Sequence, residues 1–406
     1  MSIFRLGVVL TLVFSTLHAR PAVVVTFASV ADRVRAQNPD LAAARMRIRE
    51  AEGRALAAGK LANPELETEF EHNTGFNEGR IEIGVSQKFP ITNRLAIERS
   101  VSQSEIAAAK AEVEDVARRL SAEAAEALVE VLALREERGL LDEQSRLTRE
   151  LADTIRDAAE RGEGSLLDAG QARVEALQVA TEARQLDARE AAALGALKPL
   201  LGMRADEALV VSGSLPPATL PAAGADPDRR ADYRAAKLET ATADQRVALE
   251  HAKSREDIEG GIFAAAERTI DEPNGAENEG IIGLRFRFPL PLWTRNEGGI
   301  AEAEAARERK RLETVALGRG IELEAASTRD EMREWKQLVD EIATELLPLA
   351  EEQASQTEAA WHNGQSDIQT VLRAREQRLK LAAAKLDALK NFHLARVRHQ
   401  AAVGNL

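Results

Sequence analysis

Two copies of one unit run through this chain, and that repetition limits its possible folds more than any other feature. "NPD" at Asn38–Asp40 answers "DPD" at Asp226–Asp228. "IGVSQKFPI" at Ile83–Ile91 answers "IGLRFRFPL" at Ile282–Leu290, and "RGEGSLLDAGQA" at Arg161–Ala172 answers "NGQSDIQTVLRA" at Asn363–Ala374. Gly202 in "LLGM" answers Gly404 in "AVGNL". The offset between copies grows from 188 to 199 to 202 residues, which places the insertions mainly in the loop "TIDEPNGAENEG". The 406 residues divide accordingly into a leader (1–28), a first repeat (29–203), a Pro- and Ala-rich linker (204–228) and a second repeat (229–406).

Each copy reads helix, strand, loop, strand, long helix, tight turn, helix. In the first copy the long helix is expected from Arg94 to Arg161, a stretch without proline. Ile106, Val113, Leu120, Ala127, Leu134 and Leu141 recur there every seven residues, the spacing of a coiled-coil seam. The second copy matches it from Asn296 to Asn363. At 1.5 Å per residue each arm is roughly 100 Å long. The return helix Ser165–Leu201 covers about half of that, and Arg229–Glu256 covers the rest; Ser366–Val403 and the N-terminal helix Ser29–Leu61 do the same on the other side. The linker and both ends of the mature chain are therefore expected to gather at mid-height of a long helical wall.

The strands carry a two-faced pattern. Ile282, Leu284, Phe286, Phe288 and Leu290 alternate with Gly283, Arg285 and Arg287. In the first copy Ile81, Ile83, Val85 and Phe89 alternate with Glu82, Gly84, Ser86 and Lys88, with Gln87 breaking the apolar side. Strict alternation over nine residues fits a half-buried strand of a length that also suits a tilted membrane strand. The partner strands are weaker: "PELETEFE" at Pro64–Glu71 and the Gly-rich "DIEGGIFAAA" at Asp257–Ala266. Outside the leader, seven of eleven aromatic residues lie in the two strand regions: Phe70, Phe76, Phe89, Phe263, Phe286, Phe288 and Trp293. Membrane barrels concentrate aromatics at the interfaces, so this clustering favours a barrel wall over a soluble sheet capping the helices. Ile83, Val85, Leu284, Phe286 and Phe288 are then expected to face lipid, Glu67, Glu69, Lys88, Arg285 and Arg287 a wet lumen, and Trp293 is expected to anchor the interface. Four strands cannot close a barrel, and open edges in a bilayer leave backbone groups unpaired at several kcal/mol each. Two chains give eight strands and three give twelve; eight fill with side chains, whereas twelve leave a channel, which favours a trimer for transport.

Composition excludes other classes. A net charge of −13 argues against nucleic-acid binding, which calls for a basic face. With no cysteine there is no disulfide, thiolate metal site or cysteine nucleophile. The apolar run Leu6–Leu17, after a single arginine, fits a signal-peptide core with cleavage near Ala19 or Ala28. There is no G-x-S-x-G, phosphate-binding loop, H-E-x-x-H or dinucleotide-binding glycine pattern, so no enzyme activity, cofactor or metal is expected. His393 and His399, six residues apart, do not share a helix face.

"NPDLAAARMRIREAEGRALAAGKLANPELE", the two "FP" strand ends, "LLPLAEEQASQTEAAWHNGQ" and the full G-x-x-S-x-x-D-x-x-x-A pattern of "GEGSLLDAGQA" together resemble the TolC-like outer-membrane efflux family over almost the whole chain after the leader. "FPLPLWTRNEGGIAEAEAA" is most similar to members paired with heavy-metal efflux pumps of the RND type. The resemblance implies a mainly α fold with a small β part, trimeric, its twelve-stranded outer-membrane barrel continuous with a periplasmic α-helical barrel. It implies a passive exit duct for metal cations or small toxic compounds, docking a periplasmic adaptor and an inner-membrane pump. The helical tips, implied as docking surface and gate, correspond to Gly162, Ser165 and Asp168 and to Gly364, Asp367 and Thr370. Thr370 and Arg373 stand where the family's best-known member has acidic residues, so an acidic gate in the second copy is a point of departure. The competing expectation is a periplasmic coiled-coil adaptor or scaffold. It is disfavoured because only a tight turn joins the arms.

Overall fold

The computed structural model describes residues 22–162, 165–221, 224, 226–271 and 275–405. Most of the expected leader, 1–21, lies outside them. The chain opens with strand β1 (Val23–Val25), helix α1 (Val30–Gln37) and helix α2 (Pro39–Ala55). The single N-terminal helix expected from Ser29 to Leu61 is thus two helices ending at Ala55. Pro39 pushes Asn38 into an extended conformation, and the Asn38 side chain accepts from the Leu41 N–H at 2.9 Å to start α2. The same side chain donates to the Leu200 carbonyl at 2.9 Å, so one residue ends a helix, starts the next and pins both to a third.

Next come β2 (Glu65–His72), β3 (Gly79–Phe89), α3 (Arg94–Glu160) and α4 (Leu166–Leu200). A short strand, β4 (Leu209–Val211), leads to α5 (Ala231–Lys253), β5 (Ile258–Asp271), β6 (Gly275–Arg287), α6 (Glu297–Glu341), α7 (Leu347–His362) and α8 (Ile368–Ala402). The first long arm is one unbroken helix of 67 residues, about 100 Å at 1.5 Å per residue. The second differs from expectation: a π-helical turn, Ile342–Leu346, separates α6 from α7. Pro348 follows directly; it has no N–H for the carbonyl four residues back and its ring crowds that position.

The second hairpin also corrects the sequence reading. Most of "TIDEPNGAENEG" is strand, with Thr269 opposite Glu277 and Ile270 opposite Ala276. The insertion lengthens β5 and β6 to 14 and 13 residues, against 8 and 11 in β2 and β3. Residues 272–274 lie outside the described ones.

The four long strands form one antiparallel sheet in the order β2-β3-β5-β6. The helices beside it repeat that order: α2 packs on α3, α3 on α5, and α5 on α6. Farther along, α3 packs on α4 and α8, and α6 and α7 pack on α8. The largest apolar core lies around the middle of α3, where Ala124, Ala125, Leu128, Val129, Val131 and Leu132 are all buried. A heptad seam predicts one buried stripe; here α3 is surrounded, and the seam positions Leu120 and Ala127 are only partly buried.

What surrounds it is the linker and the chain ends. β1 pairs in parallel with β4, and Val25, Val211 and Leu215 enter the core. Gly202 lies against Gln37 before α2, and Gly404 lies against Arg229 and Arg230 before α5, with the same 6→1 backbone bond closing each helix (Met203 to Lys198, Asn405 to Gln400). Arg118 donates to the Ala401 carbonyl at 3.1 Å, and Arg230 pairs with Asp232 and Glu324, both at 2.6 Å. His393 and His399 are both buried on α8; Nε2 of the first reaches the Pro216 carbonyl at 2.7 Å, and Nδ1 of the second reaches the Ala325 carbonyl at 3.1 Å. They clip backbone segments together. Among the described residues no group of three or more side chains is arranged to hold a metal ion.

Candidate functional site

Two regions collect the residues singled out by sequence: the four-stranded sheet and the turns at the far ends of the long helices.

Register sorts the sheet into two faces. One row runs Leu66–Val85–Ile262–Leu284 and the next Thr68–Ile83–Ala264–Ile282. Phe286 and Phe288 lie farther along the same side, so the five residues expected on the apolar face do share it. All are exposed, and Ile282 reaches 90%. Among the described residues no helix covers this face. Gln87, which breaks the apolar pattern, lies near the helical end of β3 and donates to the Ala62 carbonyl at 2.8 Å and to that of Lys88 at 3.0 Å.

The opposite face is charged and internally paired. Its rows include Glu65–Ser86–Gly261–Arg285, Glu69–Glu82–Ala265–Ile281 and Lys88–Glu259–Arg287. Lys88 pairs with Glu65 at 3.0 Å, Arg287 with Glu259 at 2.9 Å, and Arg285 with Glu67 at 2.6 Å. Arg285 also pairs with Glu82, which is only 4% exposed and takes a second partner in Arg80 at 2.6 Å. Glu67, Glu69, Lys88, Arg285 and Arg287 are all on this face. Opposite charges facing each other across antiparallel strands stabilise the pairing by a few tenths to about 1 kcal/mol each.

Phe263 departs from the reading of the strand aromatics as an apolar girdle. Its place in the row Glu67–Gly84–Phe263–Gly283 puts it on the charged face. A side chain at Gly283 would lie 2.4 Å from the ring, so the glycine leaves a recess into which the ring lies down. The Arg285 guanidinium sits 5.2 Å from the ring centroid, a cation–π contact. The signal was present in phase: Phe263 falls between Ile262 and Ala264, which hold the apolar side.

The two ends of the sheet carry exposed aromatics. Phe76, in the β2–β3 turn, stacks on His72 with centroids 4.9 Å apart. Trp293 is 89% exposed in the segment after β6, with Leu290 and Leu292 exposed beside it.

At the other extreme, α3 turns into α4 and α7 into α8. Gly162 and Gly364 have φ of 81° and 72°. Glu163 and Gly164 lie outside the described residues. Ser165 accepts from the Leu167 N–H at 3.2 Å and the Asp168 N–H at 3.4 Å, capping α4. Asp367 caps α8 by accepting from the Thr370 N–H and hydroxyl, both at 2.7 Å. These bonds hold the Asp367 carboxyl below its usual range, and the Arg373 charge adds to that. Thr370 is thereby engaged within its own turn. Sequence reasoning missed the cluster just inside the turns: Leu151, Ala152, Ile155, Ala169, Ala172, Ile368 and Val371, with Trp361 against it. It joins both hairpins of the chain. Leu166, Leu167, Val174 and Leu177 remain exposed on α4 beside it.

Residues 30–203 match the family model described as outer membrane efflux protein. No curated protein matches the sequence. Solved structures share the fold over nearly the whole chain. CusC, described in terms of transmembrane channel formation, is 15% identical with a TM-score of 0.76, covering 94% of this chain and 92% of its own. The outer membrane protein VceC of Vibrio cholerae is 19% identical at 0.73, covering 93% and 96%. The open state of the Neisseria gonorrhoeae MtrE outer membrane channel is 14% identical at 0.70, covering 93% and 88%.

Proposed function

From a chain whose residues 30–203 match the model of the outer membrane efflux protein family and which carries the TolC-like channel fold along its length, we propose a passive outer-membrane exit duct of a tripartite efflux system, catalysing no reaction. The protein is an outer-membrane component with a large periplasmic portion. The observation that carries the reading is the sheet: one face apolar and uncovered, the other ion-paired, and the edge strands β2 and β6 each with one side unpaired among the described residues. In a bilayer such edges need closure, and three copies close twelve strands around a wet lumen. Ile83, Val85, Leu284, Phe286 and Phe288 then meet lipid, and Glu67, Glu69, Lys88, Arg285 and Arg287 line the lumen. Trp293 at one end of the sheet and Phe76 at the other take the two interfaces. The turns bearing Gly162, Ser165, Asp168, Gly364, Asp367 and Thr370 dock a periplasmic adaptor beneath an RND-type inner-membrane pump and gate the duct. The cargo is metal cations or small toxic compounds.

Val25 is fully buried in the mid-height core, and cleavage near Ala28 removes it. Cleavage near Ala19 keeps β1, and mass spectrometry of the mature chain distinguishes the two. Detergent-solubilised protein is expected to have the mass of three chains by light scattering. A monodisperse monomer soluble without detergent overturns the duct in favour of a periplasmic scaffold.

A further inference from the structure

The net charge of −13 conceals one strongly basic surface. A groove of about 880 Å³ runs over α3 between α2 and the start of α5. Arg45 and Arg49 of α2 line one side and Arg229 and Arg234 the other, with Arg35 of α1 and Lys110 of α3 beside them. All six are exposed. Arg118 is buried beneath, tied to Asp115 at 2.6 Å and to the Ala401 carbonyl at 3.1 Å. Glu114 is the one carboxylate in the lining and pairs with Arg234. Leu41 and Val113, both buried, make part of the floor apolar.

The other side of the same helices is built differently. Arg47 lies about half a turn from Arg45 and from Arg49. It lines a second groove with Arg54, in which six cationic side chains are matched by six carboxylates. That groove is lined from α2, α3, α5 and α6 together, so its side of the helix layer is the concave one. In a closed ring the concave side faces the axis, and the basic groove then faces outward; this orientation rests on the ring proposed above.

Seven cations with one carboxylate repel one another and call for an anionic occupant. Six of the seven are arginines, whose planar fork suits carboxylate or phosphate oxygens. Position excludes the membrane: Lys110 lies roughly 24 Å along α3 from Arg94, at the sheet end of the helix, whereas lipid head groups reach only about 5–8 Å beyond the hydrocarbon. Spacing excludes a single small anion. Arg45 and Arg49 are about 6 Å apart along α2, and Lys110 and Arg118 about 12 Å apart along α3.

We propose that this groove docks an acidic segment of a protein partner, with its carboxylates on the flanking arginines and an apolar side chain over Leu41 and Val113.

Fluorescence anisotropy on the full assembly in non-ionic detergent tests it, with a labelled Glu-Glu-Leu-Glu-Glu-Leu-Glu-Glu peptide as the probe. Arg45→Glu/Arg49→Glu is expected to weaken binding at least about tenfold, and Arg47→Glu/Arg54→Glu, the same charge change on the same helix, by no more than about twofold. Absence of saturable binding to the unaltered protein overturns the docking, as does equal weakening by the two pairs. Inorganic phosphate binding as tightly as the peptide assigns a small-anion site and overturns it too. Light scattering separates groove from ring. If Arg45→Glu/Arg49→Glu alone loses the mass of three chains, the groove belongs to the neighbouring subunit and the docking fails. An unaltered protein of single-chain mass overturns the ring and the outward orientation, while the peptide titration still decides the groove.

Discussion

Ile281 and Ile282 are the same residue at adjacent positions, and the sheet assigns them opposite surroundings. Ile282 is opposite Ala264 in the row that continues to Ile83 and Thr68, in the middle of the uncovered apolar face. Ile281 is opposite Ala265 in the row that continues to Glu82 and Glu69 on the charged face. An arginine at position 282 points into hydrocarbon and costs about 2–4 kcal/mol near the bilayer midplane. With one copy per chain, a trimer bears roughly 6–12 kcal/mol. Each chain's share corresponds to roughly a 30- to 700-fold shift against insertion. An arginine at position 281 instead enters a row already holding two carboxylates, where a solvated ion pair is worth about 0–1 kcal/mol in its favour.

The assay is the fraction of each variant recovered from outer membranes as a trimer that resists detergent and dissociates on heating. Ile282→Arg is expected to leave almost none, and Ile281→Arg to match the unaltered protein in amount and melting temperature. Equal loss in both would mean that the faces are not separated by lipid and water. Loss only in Ile281→Arg would reverse them.

Two further outcomes follow from other parts of the molecule. Gly162→Val with Gly364→Val forces β-branched residues into left-handed backbone, at roughly 1–2 kcal/mol each, in turns where no described residue crowds either position; trimers and insertion should survive while export, measured as cellular resistance, is lost, and normal export would make these turns mere connectors. Burial pushes the His393 and His399 imidazoles below the usual range, with the carbonyls of Pro216 and Ala325 opposing and the Arg396 and Arg329 charges reinforcing. The unfolded chain therefore binds protons first, near pH 6.5. The stabilising contribution is complete above that pH and is lost as pH falls toward the depressed folded values. Circular-dichroism melts should drop between pH 7 and pH 5, with a shallower slope in His393→Gln/His399→Gln; an unchanged slope would rule out these two groups.

Much of this architecture was legible because it rests on short-range physics. Alternation fixed which side of the sheet Leu284 and Arg285 occupy, and Ser165 and Asp367 cap helices by bonds spanning two or three residues. The misreadings concern longer-range effects. The strand phase puts Phe263 on the charged face, but the recess that accommodates its ring is made by Gly283 on the neighbouring strand, and only pairing register reveals that neighbour. The long β5–β6 hairpin reads as loop because its Asp-, Asn- and Gly-rich residues have low strand propensity, which the ladder overrides. Pro348 was visible, but the chain's response, a π turn in place of a break, depends on α8 packing alongside. The partners of Trp361 in both hairpins were not readable, because they come together only when the two hairpins pack.

The order of the elements explains why the unpaired edges and the helical wall belong to one design. The sheet runs β2-β3-β5-β6 and the helices α2-α3-α5-α6, so each repeat delivers its strands and helices to the same side. Pairing β6 of one chain with β2 of the next therefore also brings α6 beside α2. α6 presents Leu312 and Leu323 as exposed large apolar residues, eleven apart on the face turned away from Ile321, Ala325 and Met332. α2 presents Met46 on the side away from Leu41, Ala44 and Ala51. Each margin of the chain thus carries exposed apolar side chains. In a closed ring each margin covers the other, so the backbone groups of the sheet and the apolar side chains of the helices are satisfied by the same rotation of one chain onto its neighbour.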